Sequence, residues 1–393
     1  MKKFILFICS FFLCINSIFA FSFDTNSKEI LMINLNDDSI LYEKNIDERT
    51  QIASLTKIMT AIVVLDNVED LSQKVTIIDE DYKGLIEANA MTTYLSKNKE
   101  YTYYDLLYGL LLVSGADCAN ALARLVGNGL DGFYEMMNEK VKELGLNNTH
   151  FSNAIGLDDD NNYSTARDVS IMFKYALKND DFKKIISSSN YSTYDNVNFV
   201  STMRKYLNRY NIDIPNLIGG KTGTEDRALS CLASIASYND VDYMLIVLNA
   251  ESPGQLTDTK NIYNYYMENY SYRTLIKKGD TLVSLKTLYG KSDKMDIKAL
   301  KDYSYYLENN QDIDNVKLKY SGVKVLKTNM KKNEKLGRID VYLNDEKIDS
   351  FNVYLNEKVK FSLFSFIKVN IIYFIGLFVI ILFILFRKFK KAH

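Results

Sequence analysis

The chain is poor in histidine, which is the commonest catalytic base and a frequent metal ligand in enzymes. Its 393 residues include only two histidines, His150 and the terminal His393. His150 stands between Thr and Phe in a polar stretch that is typical of a surface or structural loop. A Ser-His-Asp hydrolase would depend on His150 alone, and no G-x-S-x-G elbow occurs. One histidine with two separated cysteines cannot build a usual zinc site, so we predict no metal.

The chain also lacks a charge imbalance, a phosphate loop and a disulfide framework. Its 48 basic and 49 acidic side chains give a net charge of −1, so we predict no nucleic-acid partner. No glycine-rich phosphate loop occurs in the sequence. Cys9 and Cys14 lie in the N-terminal leader, which leaves Cys118 and Cys231, too few for a disulfide scaffold. We expect buried thiols, with a single bridge as the alternative.

Both ends of the chain indicate a membrane-attached, exported protein. Residues 1–20, "MKKFILFICSFFLCINSIFA", have the charged start, apolar core and small final residue of a secretory signal peptide; a retained anchor is the alternative. Residues 369–386 are uncharged and, as a helix, span roughly 27 Å, which is enough to cross a bilayer; a buried core helix is the competing interpretation. The basic residues 387–393 predict a cytoplasmic tail. We therefore expect a single-pass cell-membrane protein with its body outside the cell.

Between these ends, the hydrophobic pattern predicts two domains. Residues 21–270 begin with a predicted hairpin at 29–43 and end with two apolar strands and a helix, and several amphipathic helices lie between. This order predicts an α+β domain with one antiparallel sheet flanked by helices. Residues 271–365 consist of short alternating segments separated by turn residues, which predicts a small all-β domain.

With histidine scarce, a lysine is the natural candidate for a catalytic base. Ser54 and Lys57 lie three residues apart at the start of a predicted helix, so they share one helix face. Burial or a neighbouring positive charge lowers the pKa of a lysine, which then accepts a proton from a serine hydroxyl. The spacing alone is weak evidence, because a helix cap followed by a solvated lysine shows it too. The same spacing recurs at three other places: Ser96/Lys99, Ser321/Lys324 and Ser365/Lys368.

Two further segments distinguish Ser54 from these three serines. Ser114 interrupts the apolar helical stretch "LLVSGADCANALA", where its hydroxyl is expected to face a cleft. Lys221, Thr222 and Gly223 form the only K-T-G in the chain, just before the predicted buried strand "LSCLASIAS". A lone K-T-G also fits a turn with a solvated lysine. The ordered set of S-x-x-K, a serine at a helix break and K-T-G is far more specific.

With these motifs, the sequence resembles the serine D-alanyl-D-alanine carboxypeptidases of peptidase family S11, the low-molecular-weight penicillin-binding proteins. The likeness extends over nearly the whole chain, and the stretch "THFSNAIGLDDDNNYSTARDVSIMFKYAL" supports it. It implies a penicillin-binding, β-lactamase-like transpeptidase fold, followed by the β-domain and the membrane helix. Ser54 would then be the nucleophile that attacks the terminal peptide bond of a D-Ala-D-Ala stem peptide, and Lys57 would be its base. Ser114 would relay the proton towards the departing D-alanine.

The resemblance also implies a set of substrate-binding groups. Lys221 would assist the proton relay electrostatically, and Thr222 would bind the substrate carboxylate, with Gly223 and Thr224 completing the segment. The backbone N–H groups of Ser54 and Thr224 would form the oxyanion hole. β-Lactams would inhibit the enzyme by acylating Ser54, because they mimic D-Ala-D-Ala. The resemblance implies no cofactor. The chain carries no pattern that indicates an oligomeric state.

Two departures from the family pattern leave other functions open. The second motif is usually Ser-x-Asn, but here it is Ser114-Gly115-Ala116, and Ala228-Leu229 stands where Ala-Gly is common. A degenerate penicillin-binding protein that binds or regulates the cell wall is therefore the main alternative. An endopeptidase or transpeptidase shares the same motifs, and a β-lactamase is a further rival. Asp117, next to Ala116, is a candidate acceptor of a hydrogen bond from Lys57.

Overall fold

The computed structural model describes residues 23–392, which form two compact units, one ending at Met267 and the other beginning at Glu268. The predicted signal peptide, with Cys9 and Cys14, and the terminal His393 lie outside the described residues. Cys118 and Cys231 are both buried and free, so the alternative of a bridge between them is wrong.

The first unit is built on one antiparallel sheet of five strands in the order β2-β1-β9-β8-β7. The N-terminal hairpin pairs with the last strand of the unit, so the sheet joins both ends of this region of the chain, as the sequence predicted. Short two-stranded ladders, β3 with β4 and β5 with β6, lie outside the sheet. The strands are β1 (Glu29–Asn34), β2 (Ile40–Lys44), β3 (Lys74–Ile77), β4 (Lys99–Thr102), β5 (Asn190–Ser192), β6 (Asn198–Val200), β7 (Leu217–Glu225), β8 (Leu229–Tyr238) and β9 (Val241–Ala250).

Helices cover both faces of this sheet. Alternate residues of β8 point to opposite sides: Cys231, Ala233 and Ile235 join the main hydrophobic core, whereas Ser234 hydrogen-bonds Tyr263 of the last helix. The predicted α+β arrangement is therefore confirmed. The helices of this unit are α1 (Thr56–Asn67), α2 (Tyr103–Tyr108), α3 (Ala116–Val126), α4 (Leu130–Glu143), α5 (Ala166–Ala176), α6 (Asp180–Ser187), α7 (Thr202–Tyr210) and α8 (Gly254–Asn269).

The second unit is all-β up to its last two helices, as the sequence predicted. Its strands form a pair, β10 with β13, and two three-stranded sheets, β12-β11-β15 and β14-β16-β17. The strands are β10 (Tyr270–Ile276), β11 (Thr281–Leu288), β12 (Lys294–Lys298), β13 (Tyr303–Glu308), β14 (Val316–Gly322), β15 (Val325–Lys327), β16 (Lys335–Leu343) and β17 (Glu346–Tyr354).

Two helices, α9 (Leu363–Val369) and α10 (Ile371–Ala392), end the second unit. Within the described part of the chain, α10 is the one helix long and apolar enough to cross a membrane, over Ile371–Lys388. Its apolar side chains are exposed, so it is not a core helix of this unit. The helix begins at Ile371 instead of the predicted 369 because α9 ends at Val369 and Asn370 lies between the two helices.

Candidate active site

Ser54 lies in a tight turn, not within a regular helix. A 3₁₀ turn, Ala53–Leu55, precedes α1, and Ala53 takes the left-handed conformation with φ +47°. Two glycines let neighbouring segments approach this turn closely. A Cβ at Gly156 would lie 2.1 Å from the carbonyl oxygen of Ala53, and a Cβ at Gly223 would lie 2.9 Å from the backbone nitrogen of Ser54. The position of Ser54 therefore depends on glycine at both places.

Lys57 is buried beside Ser54 on the first turn of α1. Its Nζ donates a hydrogen bond to Ser54 Oγ over 2.9 Å and a second, short one to the carbonyl oxygen of Ile155. The side chain is only 2% exposed. The i, i+3 spacing that singled out this pair thus brings the hydroxyl and the amine into direct contact.

The carbonyl group of Ile155 belongs to a loop within the stretch that supported the family resemblance. No catalytic role was predicted for this loop. Asn153 Oδ1 accepts hydrogen bonds from the backbone N–H groups of Ile155, Gly156 and Leu157, which fixes the loop. Thr60 of α1 donates to the carbonyl oxygen of Ala154, so the loop is tied to the helix that carries Lys57. No residue pattern in the segment indicated this role.

Ser114 lies at the predicted helix break. After α2 the chain forms a turn of π-helix at Gly109–Val113, and Ser114 follows in the left-handed conformation with φ +69°. This bend starts α3 in a new direction and leaves the Ser114 hydroxyl 2.8 Å from Lys221 Nζ, which donates to it. Lys221 also donates to the carbonyl oxygen of Thr222 and is 1% exposed.

The K-T-G triplet precedes the buried strand β8, as the sequence predicted, and itself lies inside another strand, β7. β7 runs from Leu217 to Glu225 and pairs with β8 on one side only, so it is an edge of the sheet. Along it Thr222 is 5% exposed, and Thr224 is exposed at the cleft with its hydroxyl donating to the carbonyl oxygen of Gly223. The strand was missed because its glycines are poor strand formers.

Burial depresses the basicity of both lysines. It lowers the pKa of Lys57 to about 8, although the carboxylates of Glu225 and Asp117 act in the opposite direction. Burial, and then the positive charge of Lys57, hold the pKa of Lys221 well below its ordinary value. A base with a pKa of about 8 is neutral in about one molecule in ten at pH 7 and in most molecules above pH 9. A substantial fraction of Lys57 is therefore the neutral amine, which is the form that accepts a proton.

Asp117 does not hydrogen-bond Lys57. Its carboxylate accepts from the backbone N–H of Thr93 over 3.0 Å, from the Thr93 hydroxyl, and from the Tyr82 hydroxyl over 3.0 Å. The hydrogen bonds of Lys57 go to Ser54 and Ile155 instead. The candidate contact was wrong because Asp117 ties the loop of residues 82–93 to the start of α3. Ala116 itself lines the cleft with a 2% exposed side chain.

These groups surround one cleft of about 120 Å³. Ser54, Lys57, Ser114 and the segment Thr222–Thr224 all line it. The cleft also contains groups that were not predicted from the sequence, because nothing in their local pattern marks them as functional. They are Asn89, Ala90, Met91, Ile155, Leu157, Thr202, Tyr206 and Glu225.

The three other Ser-x-x-Lys pairs do not form such a contact. Lys99 pairs with Asp195 over 2.6 Å, whereas Ser96 uses its backbone N–H to bond Tyr101. Ser321 lies on β14, and Ser365 lies in the short helix α9. His150 is exposed, and its Nδ1 lies 2.6 Å from the carbonyl oxygen of Asn161, so it is a loop residue, as the sequence suggested.

Comparison with known families covers both units of the chain. The sequence pattern of the D-alanyl-D-alanine carboxypeptidase family, peptidase family S11, matches residues 18–252. That of the C-terminal domain of penicillin-binding protein 5 matches residues 270–360. The chain is 26% identical over 318 residues to D-alanyl-D-alanine carboxypeptidase DacF of Bacillus subtilis, which covers 80% of each protein.

Solved structures show the same likeness. Penicillin-binding protein 5 of Haemophilus influenzae superposes with a TM-score of 0.67 at 25% identity, over 86% of this chain and 99% of that one. The K15 DD-transpeptidase of Streptomyces superposes with a TM-score of 0.58 at 32% identity, over 63% of this chain and 98% of that one.

Proposed function

The chain belongs to the D-alanyl-D-alanine carboxypeptidase family, and we propose that it removes the terminal D-alanine of peptidoglycan stem peptides through an acyl-enzyme on Ser54. The observation that carries this proposal is the pair of contacts in one cleft, Lys57 Nζ to Ser54 Oγ and Lys221 Nζ to Ser114 Oγ. They provide a nucleophile with its base and a second hydroxyl with its own lysine.

Acylation begins with neutral Lys57. Its amine takes the proton of the Ser54 hydroxyl across the 2.9 Å contact while Oγ attacks the carbonyl carbon of the penultimate D-alanine. The short hydrogen bond to the carbonyl oxygen of Ile155 holds Nζ in place and stabilises the ammonium that forms. The negative charge on the substrate oxygen develops next to the backbone of Ser54, which Gly223 allows β7 to approach. The N–H groups of Ser54 and Thr224 form the oxyanion hole there.

Ser114 and Lys221 complete the step at the leaving amine. The Ser114 hydroxyl donates its proton to the departing D-alanine nitrogen and receives in its place the proton that Lys57 took from Ser54, which returns Lys57 to the neutral amine. The amine of Lys221 holds that hydroxyl in place, and the hydroxyl of Thr222 binds the carboxylate of the terminal D-alanine. The bound carboxylate favours the protonated form of Lys221 and so opposes the depression of its pKa. Water then hydrolyses the ester on Ser54. A β-lactam enters the same route and acylates Ser54.

The same proposal includes the membrane topology. The family acts at the cell wall, and α10 is a candidate membrane anchor. We place the two units on the outer side of the cell membrane and the basic end of the chain on the cytoplasmic side. Proteolysis of intact cells that carry a tag after His393 tests this placement: the tag is expected to stay protected, and its digestion would contradict the orientation.

Release of D-alanine from a pentapeptide ending in D-Ala-D-Ala tests the function. The full chain in mild detergent is expected to release D-alanine and to be labelled by fluorescent penicillin, and Ser54→Ala is expected to do neither. Ser321→Ala, which alters a serine with the same spacing to a lysine, is the matched control and should behave as the wild type. Labelling without release would contradict the proposed hydrolysis and favour the wall-binding alternative, which the names of the relatives do not favour.

The DD-transpeptidase among the similar structures makes transpeptidation the second candidate. Adding an acceptor amine to the assay distinguishes the two reactions. A carboxypeptidase is expected to keep producing mostly the shortened peptide, whereas a transpeptidase would transfer it to the amine.

A further inference from the structure

The direction of β7 fixes how a peptide can lie in the cleft. Among residues 23–392, β7 is an edge strand of the sheet, and no strand of that region pairs with its second side. An extended peptide that adds to such an edge makes main-chain hydrogen bonds and presents alternate side chains to the protein. This inference rests on the proposed function, which puts the terminal carboxylate at Thr222 and the scissile carbonyl at Ser54 and Thr224. The carboxyl end of the peptide then lies near the earlier residues of β7, so the two chains are antiparallel.

Antiparallel addition determines which residue of β7 comes next. Residues of paired strands advance together by about 3.4 Å each. Beyond Thr224, moving towards the amino end of the peptide, the next residue of β7 is Glu225, the last residue of the strand. The substrate residue that precedes D-Ala-D-Ala is therefore set against Glu225.

Glu225 is a carboxylate at the cleft that interacts electrostatically with the buried Lys57 but forms no ion pair among the described residues. It lines the cleft together with Ser54 and Lys57, its side chain is partly buried, and no ion pair to it occurs among residues 23–392. Burial raises its pKa to about 7, and the neighbouring carboxylates of Asp158 and Asp226 add to the rise, while Lys57 opposes it.

The guanidinium of Arg227, two residues along the chain, pairs with another carboxylate and not with Glu225. Arg227 forms an ion pair with Asp160 over 2.8 Å, and its backbone N–H donates to Asp158 Oδ2 over 2.6 Å. The other oxygen of Asp158 is buried without a hydrogen-bond partner among the described residues. Lys57, the buried cation of the cleft, is already bonded to Ser54 and Ile155. A cation supplied by a ligand would therefore compensate negative charge that the protein leaves unpaired.

We propose that Glu225 is a specificity-determining residue, which selects stem peptides whose residue before D-Ala-D-Ala carries a side-chain ammonium group. The ammonium contacts the Glu225 carboxylate at the end of β7, while the peptide backbone pairs with the strand edge. Neutral side chains at this position lose the ion pair but keep the backbone pairing.

Two peptides that differ only in this charge test the proposal. They are Nα-acetyl-L-Lys-D-Ala-D-Ala, with a free ε-amine, and its Nα,Nε-diacetyl analogue. Wild-type full-length protein in detergent is expected to have a kcat/KM about fivefold higher for the charged peptide, the ratio typical of one partly exposed ion pair. Glu225→Gln should bring the ratio to about 1, and Glu225→Lys should bring it below 1. Glu43→Gln, which removes the same charge from β2 at the opposite edge of the sheet, should keep the wild-type ratio.

A binding measurement separates this inference from the proposed reaction. In the Ser54→Ala background, titration calorimetry should give the same fivefold preference in Kd, and Glu225→Gln should abolish it. If wild-type protein hydrolyses neither peptide but the calorimetric preference is present and depends on Glu225, the proposed function fails and the inference stands. Equal affinity for the two peptides, or a preference that survives Glu225→Gln, overturns the inference even when hydrolysis is observed.

Discussion

The two units differ in whether they bury polar and charged side chains. Of the described residues, every polar or charged side chain that is buried lies in the first unit, including Lys57, Ser114, Asp117 and Lys221. The buried side chains of the second unit are all apolar, and its ion pairs, such as Arg338 with Asp340, lie at the surface. Removing a charge from water costs several kcal/mol unless partners replace the solvent, so a domain keeps such groups only where they are needed.

This contrast separates a reactive region from a structural one. β16 of the second unit has a buried apolar face, formed by Leu336, Ile339, Val341 and Leu343, and the residues between them are more exposed. Such a face stabilises a domain but offers no titratable group. In the first unit, two lysines are buried at one cleft and have depressed pKa values. Perturbed pKa values of this kind cluster at functional sites. The chemistry is therefore expected to be lost through changes in the first unit and to survive matched changes in the second.

The largest effect is expected from Lys57→Met. Methionine fills a similar volume without the amine, so the fold should persist while Ser54 loses its base. General-base catalysis contributes about 10²–10⁴-fold, so kcat/KM for D-alanine release should fall by about 10³-fold, and labelling by fluorescent penicillin should slow in parallel. Lys324→Met, at the lysine of the Ser321 pair in the second unit, is the matched control. A Lys57→Met protein with more than a tenth of the wild-type rate would show that another group is the base.

Two glycines with positive φ provide the next comparison. Gly156 has φ +84°, and a Cβ there would lie 2.1 Å from the carbonyl oxygen of Ala53; Gly279 of the second unit has φ +96° and nothing within 4 Å. Gly156→Ala combines backbone strain with a clash and should cost about 3 kcal/mol of stability. Because the clash displaces the turn of Ser54, penicillin labelling should also slow.

Gly279→Ala meets only the backbone strain and should cost about 1 kcal/mol. Scanning calorimetry of the full chain measures both variants, and labelling should be normal for Gly279→Ala. Equal decreases in melting temperature, with both variants labelled at the wild-type rate, would contradict the claim that close packing at Gly156 positions Ser54.

The pH dependence of acylation is a smaller and more specific test. The reactive form of Lys57 is the neutral amine, and its pKa is about 8. Reactivity is therefore present above this pKa and is lost as the pH falls through it. Below pH 8, kcat/KM should fall about tenfold per pH unit and level off above it. Rates of penicillin labelling from pH 5.5 to 9.5 measure this, and a rate that is flat down to pH 6 would contradict a lysine base.

Features with a local cause were predictable from the sequence. The i, i+3 spacing of Ser54 and Lys57 places both on one helix face, and the apolar stretch around Ser114 breaks where Ser-Gly interrupts it. The two adjacent apolar runs that form β8 and β9 predicted two strands of the sheet. Thr165, just before α5, caps that helix by accepting a hydrogen bond from the backbone N–H of Asp168. Such patterns depend on neighbours within a few residues, so no tertiary information was required.

Features set by contacts across long separations were not predictable. Lys57 meets the carbonyl of Ile155, 98 residues away, and a backbone carbonyl has no side-chain signature in the sequence. Asp117 bonds Thr93 instead of Lys57 because the loop of residues 82–93 packs on the start of α3. Glu225 gave no signal either, because a glutamate at the end of a strand is ordinary until the cleft is assembled around it.

The smallest expected effect tests the electrostatic link between Glu225 and Lys57. The Glu225 carboxylate is the leading influence that opposes the depression of the Lys57 pKa, so its removal should lower that pKa further. With Glu225→Gln, the acid limb of the labelling profile should move to lower pH by a few tenths of a unit, since a partly exposed charge is screened by solvent. A penicillin with an uncharged acyl side chain adds no side-chain charge that could act on residue 225 directly. Glu346→Gln on β17 removes an exposed carboxylate from the second unit and should leave the profile in place. A shift to higher pH in Glu225→Gln would mean that the Glu225 carboxylate does not stabilise the Lys57 ammonium, and the depressed pKa of Lys57 would then have another origin within the first unit.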